Sequence, residues 1–314
     1  MRASLVSLLA LLVACGSDTD GGSTDTATDT GGTIDRFADF VNVQTAWTGD
    51  TTCFQPNAAG DNFVEASPDP TCQVSLTLEG TTTDFQTDEP VADATVQVWT
   101  NDDIEGDAAT VVQANADGNF GLDVPSCTPF AYGVTTPVEW EETVDTFEVH
   151  QVYGYSADGT DDDAFNSVSQ ATSRLIPALI GVQWDTSTAI IAGTAYDCNE
   201  EPIQYAQIYL RDADGNPPTT GDVFYFSENA GTSLPTAKAA QPHTNTNGLW
   251  VAINIPAGTW TVEMWGWDAT ASQHVVLGRS QLQVKAGGVT ISNVYTGDGD
   301  GIYYPASCLE ACGG

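Results

Sequence analysis

The sequence predicts an all-β protein, two tandem β-sandwiches that follow a disordered tether and are joined by one short helix. Three observations carry this. A Pro-turn followed by a period-two strand occurs twice, at Glu89–Val98 and Glu201–Leu210, each behind a strand ending in Gly and ahead of a Gly-containing hairpin. Helical periodicity is scarce, with one good stretch at Asp163–Ile176. The apolar fraction of 41 %, with 8 Trp, 10 Tyr and 11 Phe, is ample for packed cores in a chain of 314 residues, a length that allows one large fold or two smaller ones.

The N-terminus, residues 1–14, opens with Arg2 and a short apolar run, Leu5–Val13, too short to cross a bilayer and shaped like an export signal. It ends Leu12-Val13-Ala14-Cys15, which resembles the bacterial lipoprotein signal. That resemblance implies that Cys15 is lipidated and becomes the mature N-terminus, anchoring the protein to the cell envelope. Gly16 rather than Asp follows Cys15, which by the same resemblance favours the outer membrane.

Residues 15–33 are Gly, Ser, Thr, Asp and Ala after the cysteine, with nothing to bury, so they read as a flexible tether spanning on the order of 25 Å. Residues 34–71 form a weakly patterned extension. The chain has 7 Lys+Arg against 43 Asp+Glu and a net charge of −36. Phosphate neutralisation needs clustered cations, so nucleic acid is excluded as a partner, and polybasic docking on anionic lipid with it. The charge suits a solvated exterior surface.

The first repeat is expected over 72–155. Glu89-Pro90-Val91-Ala92-Asp93-Ala94-Thr95-Val96-Gln97-Val98 puts Ala94, Val96 and Val98 on one face, and Ala116-Asp117-Gly118-Asn119-Phe120 supplies the hairpin. Residues 156–187 are a connector with the helix Asp163–Ile176, capped by Asp161–Asp163 and limited by Pro177. The second repeat, 188–297, aligns Ala206, Ile208 and Leu210, then Thr246-Asn247-Gly248-Leu249-Trp250, then Ile255-Pro256-Ala257-Gly258-Thr259-Trp260. The insertion 212–245 carries Phe224-Tyr225-Phe226 as an apolar anchor, and long insertions of this kind are where binding tends to sit. A Cys-containing tail, 298–314, closes the chain.

Together these segments resemble the carboxypeptidase-regulatory-like, or prealbumin-like, β-sandwich family. The second repeat has all four parts of its pattern. The first departs at the return strand, where Ser126-Cys127 follows Pro125 without the usual Gly. The resemblance implies immunoglobulin-like sandwiches of seven or eight strands, borne as accessory modules on secreted and surface proteins, and is nearly silent on function.

Apart from Cys15 the cysteines are an even set, Cys53, Cys72, Cys127, Cys198, Cys308 and Cys312, which in an exported chain read as disulfides. Of the possible connectivities, the expected one joins Cys53 to Cys72 and Cys198 to Cys308 or Cys312, leaving Cys127 the remaining partner.

Catalytic signals are weak. His150, His243 and His274 are the only histidines, and no Gly-x-Ser-x-Gly surrounds a serine. His150 lies in an alternating strand, where a structural role is expected. The Ala94–Trp99 strand with Asn115–Asn119 faintly resembles intradiol-ring dioxygenases, but their iron site needs closely spaced histidines, and no His-x-His is present. Calcium is the more credible ion, since hard cations take irregular carboxylate loops, and its candidates are Asp158, Asp161 and Asp163, then Asp212 and Asp214, then Asp298 and Asp300. An ordinary Asp-Gly turn is the competing reading of each. Trp265 and Trp267, with Tyr205 and Tyr209, fall on the polar faces of their strands and could stack on sugar rings, unless the insertion or the neighbouring repeat covers them.

The expected function is therefore a lipid-anchored, non-catalytic structural or binding module of the cell surface, with a protein or glycan as partner. A carbohydrate-binding lipoprotein is the alternative, and a cryptic hydrolase the third.

Overall fold

The computed structural model describes residues 43–54, 67–100, 102–136, 143–157, 159–227, 234–237, 240–309 and 312. In the first repeat the strands are β1 (Ser75–Asp84), β2 (Thr95–Trp99), β3 (Thr110–Gln113), β4 (Asn119–Pro125), β5 (Phe130–Thr135), β6 (Thr143–Val144), β7 (Thr146–Gln151) and β8 (Thr160–Ser169). Helix α1 (Gln170–Leu179) leads to β9 (Ala189–Tyr196), β10 (Gln207–Arg211), β11 (Asp222–Phe226), β12 (Pro235–Thr236), β13 (Leu249–Ile255), β14 (Gly258–Asp268), β15 (Gln273–Val284), β16 (Val289–Ile291) and β17 (Val294–Tyr295). A last turn of helix, α2 (Ala306–Leu309), precedes Cys312.

The two repeats pair alike. β1 pairs with β4 as β9 pairs with β13, and β2 pairs with β5 as β10 pairs with β14. The turns expected at Gly118 and Gly248 form, and both glycines have positive φ, the backbone region that a Cβ disfavours, but they are not hairpins: β3 pairs β2 while β4 pairs β1, and β12 pairs β11 while β13 pairs β11 and β9. Asn115 helps close the first by accepting from the amides of Asp117 and Asn119.

The repeats also share a layer. One sheet runs β12-β11-β13-β9-β16-β7-β5-β2-β3, with β17 also pairing β9. Its junction is β16, which lies parallel to both β7 and β9. A four-stranded sheet, β4-β1-β8-β6, covers one face over the first repeat, and the three-stranded β10-β14-β15 stands over the second. The two covering sheets use opposite faces of the shared one. Val96, Val98, Tyr132 and Val134 point into the first sandwich with Leu76, Leu78 and Phe165. Trp99, Ala131, Phe147, Ile191 and Trp250 point the other way, into the second core with Ile208, Val262 and Met264. Period-two alternation makes this possible, since a strand apolar on both faces can serve two cores.

On the first face, the second repeat has no covering sheet. Ile190, Phe224, Phe226, Val251, Ile253 and Val289 are packed there by Ile176 and Ile180 of the helical segment and by Val182 and Trp184. The insertion's Phe224-Tyr225-Phe226 anchor is therefore real, with Tyr225 turned into the opposite core.

The expected helix at Asp163–Ile176 is corrected. Residues 160–169 are strand β8, running parallel to β1 with Leu78 opposite Asp161, and the helix starts only at Gln170. Its cap is Ser169, whose hydroxyl accepts from the Thr172 amide at 3.1 Å, and Pro177 lies inside the helix. The apolar residues Phe165 and Val168 suit either reading by spacing. The open edge of β1 decides for strand, because eight residues there gain a backbone ladder. The segment expected as a connector thus contributes an inner strand to the first repeat's sheet.

Candidate functional site

The aromatic face of β14 does not form the flat platform that sugar stacking needs. Trp260, Val262 and Met264 are core, as expected. On the other face Trp265 is only 6 % exposed and Tyr209 is buried, while Trp267 is half-buried with its ring edge-on to His274. Tyr205 is half-buried against His243. What occupies this face is an ionic cluster. Glu263 is fully buried and held by Arg211 and Arg279, and the Trp265 indole donates to it at 3.1 Å. Two of the chain's few cations are thereby committed to one carboxylate, which needs them because an unpaired charge is costly inside a protein.

The carboxylate candidates lie in strand β8 and in turns. Asp158 lies outside the described residues, and Asp161 takes part in β8 as backbone paired with Leu78. Asp163 accepts from the Tyr153 hydroxyl at 2.6 Å. Asp212 accepts from the amides of Asp214 and Asn216, and those hydrogen bonds hold its pKa below the usual range. Among the described residues no group of three or more His, Cys, Asp or Glu side chains converges as a metal cage would. Asp298 and Asp300 sit together where the tail runs beside β15. The buried Asp298 Oδ2 finds no conventional donor, and Asp300 N–H donates to Oδ1 at 3.1 Å.

Burial first, and then the neighbouring Asp300 carboxyl, raise Asp298 to about 8 from 3.8. The folded chain therefore keeps a proton that the unfolded chain releases, and stability contributed at acid pH is lost as pH rises through about 8. The neighbouring Tyr304 is raised as well, by burial and by Asp300, Asp298 and Asp102. Asp298→Asn removes the titration, so its stability relative to the parent should climb between pH 5 and pH 9 in urea denaturation. Parallel stability curves for the two proteins would refute this.

Each histidine is hydrogen-bonded within the fold. His150 bridges the repeats: its Nδ1 lies 3.2 Å from Asp102 Oδ2, and its Nε2 lies 2.9 Å from the Gln281 carbonyl on β15. Lys285 adds a second bridge, its ammonium 4.9 Å from the Phe147 ring centroid and 5.4 Å from that of Trp99. His274 Nε2 faces the carbonyl of Val43, 3.0 Å away, which ties down the N-terminal extension.

All six expected cysteines are paired, Cys127 with a tail cysteine as expected and the other four differently. The bonds are Cys53–Cys198, Cys72–Cys312 and Cys127–Cys308. Cys53 therefore joins the N-terminal extension to the second repeat, and the C-terminal tail returns to the first. The Cys53–Cys72 and Cys198–tail pairings are overturned. The reason is tertiary: the tail follows β15 past His150 and ends beside Tyr153 and Tyr155, where Cys72, Cys127 and Cys308 form a small buried cluster. Spacing along the chain carries no trace of that route.

A cavity of about 360 Å³ opens under α1 at the place where the four-stranded sheet stops. Its walls are mostly apolar, including Ile176, Ile190, Val251 and Ile291, with Asn166, Thr172, Ser173 and Asn293 among them, and Glu148 stands in it. Sequence reading missed this site, since Glu148 looks like any polar residue alternating along a strand.

No protein-family model matches the chain, and no curated protein does. Among solved structures, the Bacillus anthracis TIE protein is 11 % identical over 71 % of this chain, with a TM-score of 0.24, and the match spans 34 % of that protein's chain. The shaft pilin SpaA from Lactobacillus rhamnosus GG is 10 % identical over 74 % of this chain and 100 % of its own, with a TM-score of 0.23. BcpA, the major pilin subunit of Bacillus cereus, is 8 % identical over 71 % of this chain and 100 % of its own, with a TM-score of 0.22.

Proposed function

We propose that this is an exported, non-catalytic structural module of the cell surface, held to the envelope, and by its sorting residues to the outer membrane, through a lipid on Cys15. The observation that carries the structural reading is the cystine framework. Three bonds join segments 145, 240 and 181 residues apart and tie each end of the chain to the more distant repeat. Such bonds persist in oxidising compartments outside the cytosol. They also close the molecule. A pull between the N-terminal extension and the tail enters at Cys53–Cys198 and leaves at Cys72–Cys312, and the short segment 53–72 caps how far the strands between them can be drawn out. A shared sheet and the His150 and Lys285 bridges then hold the repeats as one body.

The anchor rests on Leu12-Val13-Ala14-Cys15 and on the small, polar tether behind it. Expressed in a diderm bacterium, the protein should fractionate with membranes and carry a lipid mass on its N-terminal peptide. Cys15→Ser should move the folded protein to the soluble fraction and abolish that mass. Unchanged membrane retention of the variant would overturn the anchor and leave the structural reading standing, because that one is tested separately by force.

A further inference from the structure

We infer that the cavity beneath α1 is a binding site for a small organic cation with an apolar body, whose ammonium group pairs with Glu148. The site follows from the architecture. The first face of the shared sheet is covered over the first repeat by four strands and over the second by one ten-residue helix, which is too narrow to fill the layer. The space left, about 360 Å³, lies within the range of small-molecule sites and is equivalent to about a dozen water volumes of ~30 Å³. Its walls come from β8, β9, β13 and β16 as well as α1, so it is set on regular elements rather than on loops. Phe85, 47 % exposed, stands at its rim.

Glu148 gives the site its charge preference. It faces this layer because it pairs with Tyr132 across β5 and β7, and Tyr132 donates its hydroxyl hydrogen bond to the carboxylate. The Tyr132 oxygen is itself positioned by the Asn166 amide at 3.1 Å and by ring stacking on Phe165. No cation of the described chain is paired with Glu148. Arg211 and Arg279 are committed to Glu263, Lys285 lies over Trp99 and Phe147 on the opposite face of the sheet, and Arg174 bonds Gln170 on the helix surface. The nearest further charge is another acid, Asp163. A carboxylate so placed, in the wall of a mostly apolar cavity, favours a positively charged head with a hydrocarbon body and rejects an anion. Burial is the main reason that Glu148 is raised to about 7, so the carboxylate is present at pH 8.

The test is calorimetric titration of the oxidised full-length protein at pH 8 with octylammonium, octanol and octanoate. Octylammonium should bind one to one, octanol more weakly and octanoate not at all. Glu148→Gln keeps the shape and the Tyr132 acceptor, and should weaken octylammonium at least tenfold while leaving octanol unchanged. Ile176→Trp fills the cavity and should abolish binding of both, with native circular dichroism as the folding control for each variant. Absence of octylammonium binding to the parent, equal affinity in Glu148→Gln, or full binding to folded Ile176→Trp each overturns the proposal.

Discussion

Pulled from its two ends with its disulfides intact, the protein will lengthen only by what the segment before Cys72 can give, and after reduction the same pull will release up to about 860 Å more. The figure is the 240-residue span between Cys72 and Cys312 at ~3.6 Å per extended residue. The effect follows from connectivity alone. Cys72 precedes β1, and Cys312 follows the last helix, so this bond caps the extension of everything between them. A Cys72→Ser/Cys312→Ser variant should give an intermediate extension, because load then runs between Cys53 and Cys127, through β1 to β4 and, by way of Cys53–Cys198, through β5 to β9, until Cys127–Cys308 takes it. Optical-tweezer traces with handles at both ends read this directly, and full extension of the oxidised protein would sink the closed-body reading. At equilibrium the same bond closes a loop long enough to be worth about 5.5 kcal/mol in the chain-entropy picture, so urea midpoints should fall steeply on reduction.

The second large effect is expected from one methyl group. Gly193→Ala should cost about 3 kcal/mol, read as a lower urea midpoint at unchanged slope. After β16 the chain steps through Ser292 and Asn293 to reach β17, and both short strands pair in parallel with β9. That step passes against Gly193 so closely that a Cβ there would lie 2.0 Å from the Ser292 carbonyl oxygen and 3.1 Å from the Trp250 ring. Asn293 secures the step by accepting from the Thr194 amide at 3.0 Å. A backbone carbonyl cannot swing aside as a flexible side chain would, so the junction between the repeats must shift. Gly121→Ala is the control. It is also a strand glycine, but the nearest atom to its added Cβ is 4.0 Å away, and the substitution should be neutral or slightly stabilising. Equal midpoints for Gly193→Ala and the parent would show that the crossing tolerates displacement.

Much of the fold was legible locally. Alternation placed Ala94, Val96 and Val98 in one core and Ala206, Ile208 and Leu210 in another, and the Gly-containing turns fell where Gly118 and Gly248 take positive φ. Those signals work because a strand's faces and a turn's backbone angles are decided within a few residues. The candidate sites were less legible. Alternation puts Trp265 on the polar side of β14, and that side is occupied by Glu263 and its arginines rather than left open. Glu148 carried no signal at all, since its importance comes from what covers it.

The sequence by itself determined the all-β class, the duplicated sandwich pattern, the even set of disulfide-forming cysteines and the acidic character, because each is written in periodicity, composition or count. Tertiary structure alone decided which cysteines meet, that 160–169 is a strand of β1's sheet and not a helix, and that the two repeats share one sheet by opposite faces. All three depend on contacts between residues far apart in the chain. A free strand edge or the return path of a tail lowers the free energy only once the partner surface exists, and no local pattern encodes that surface.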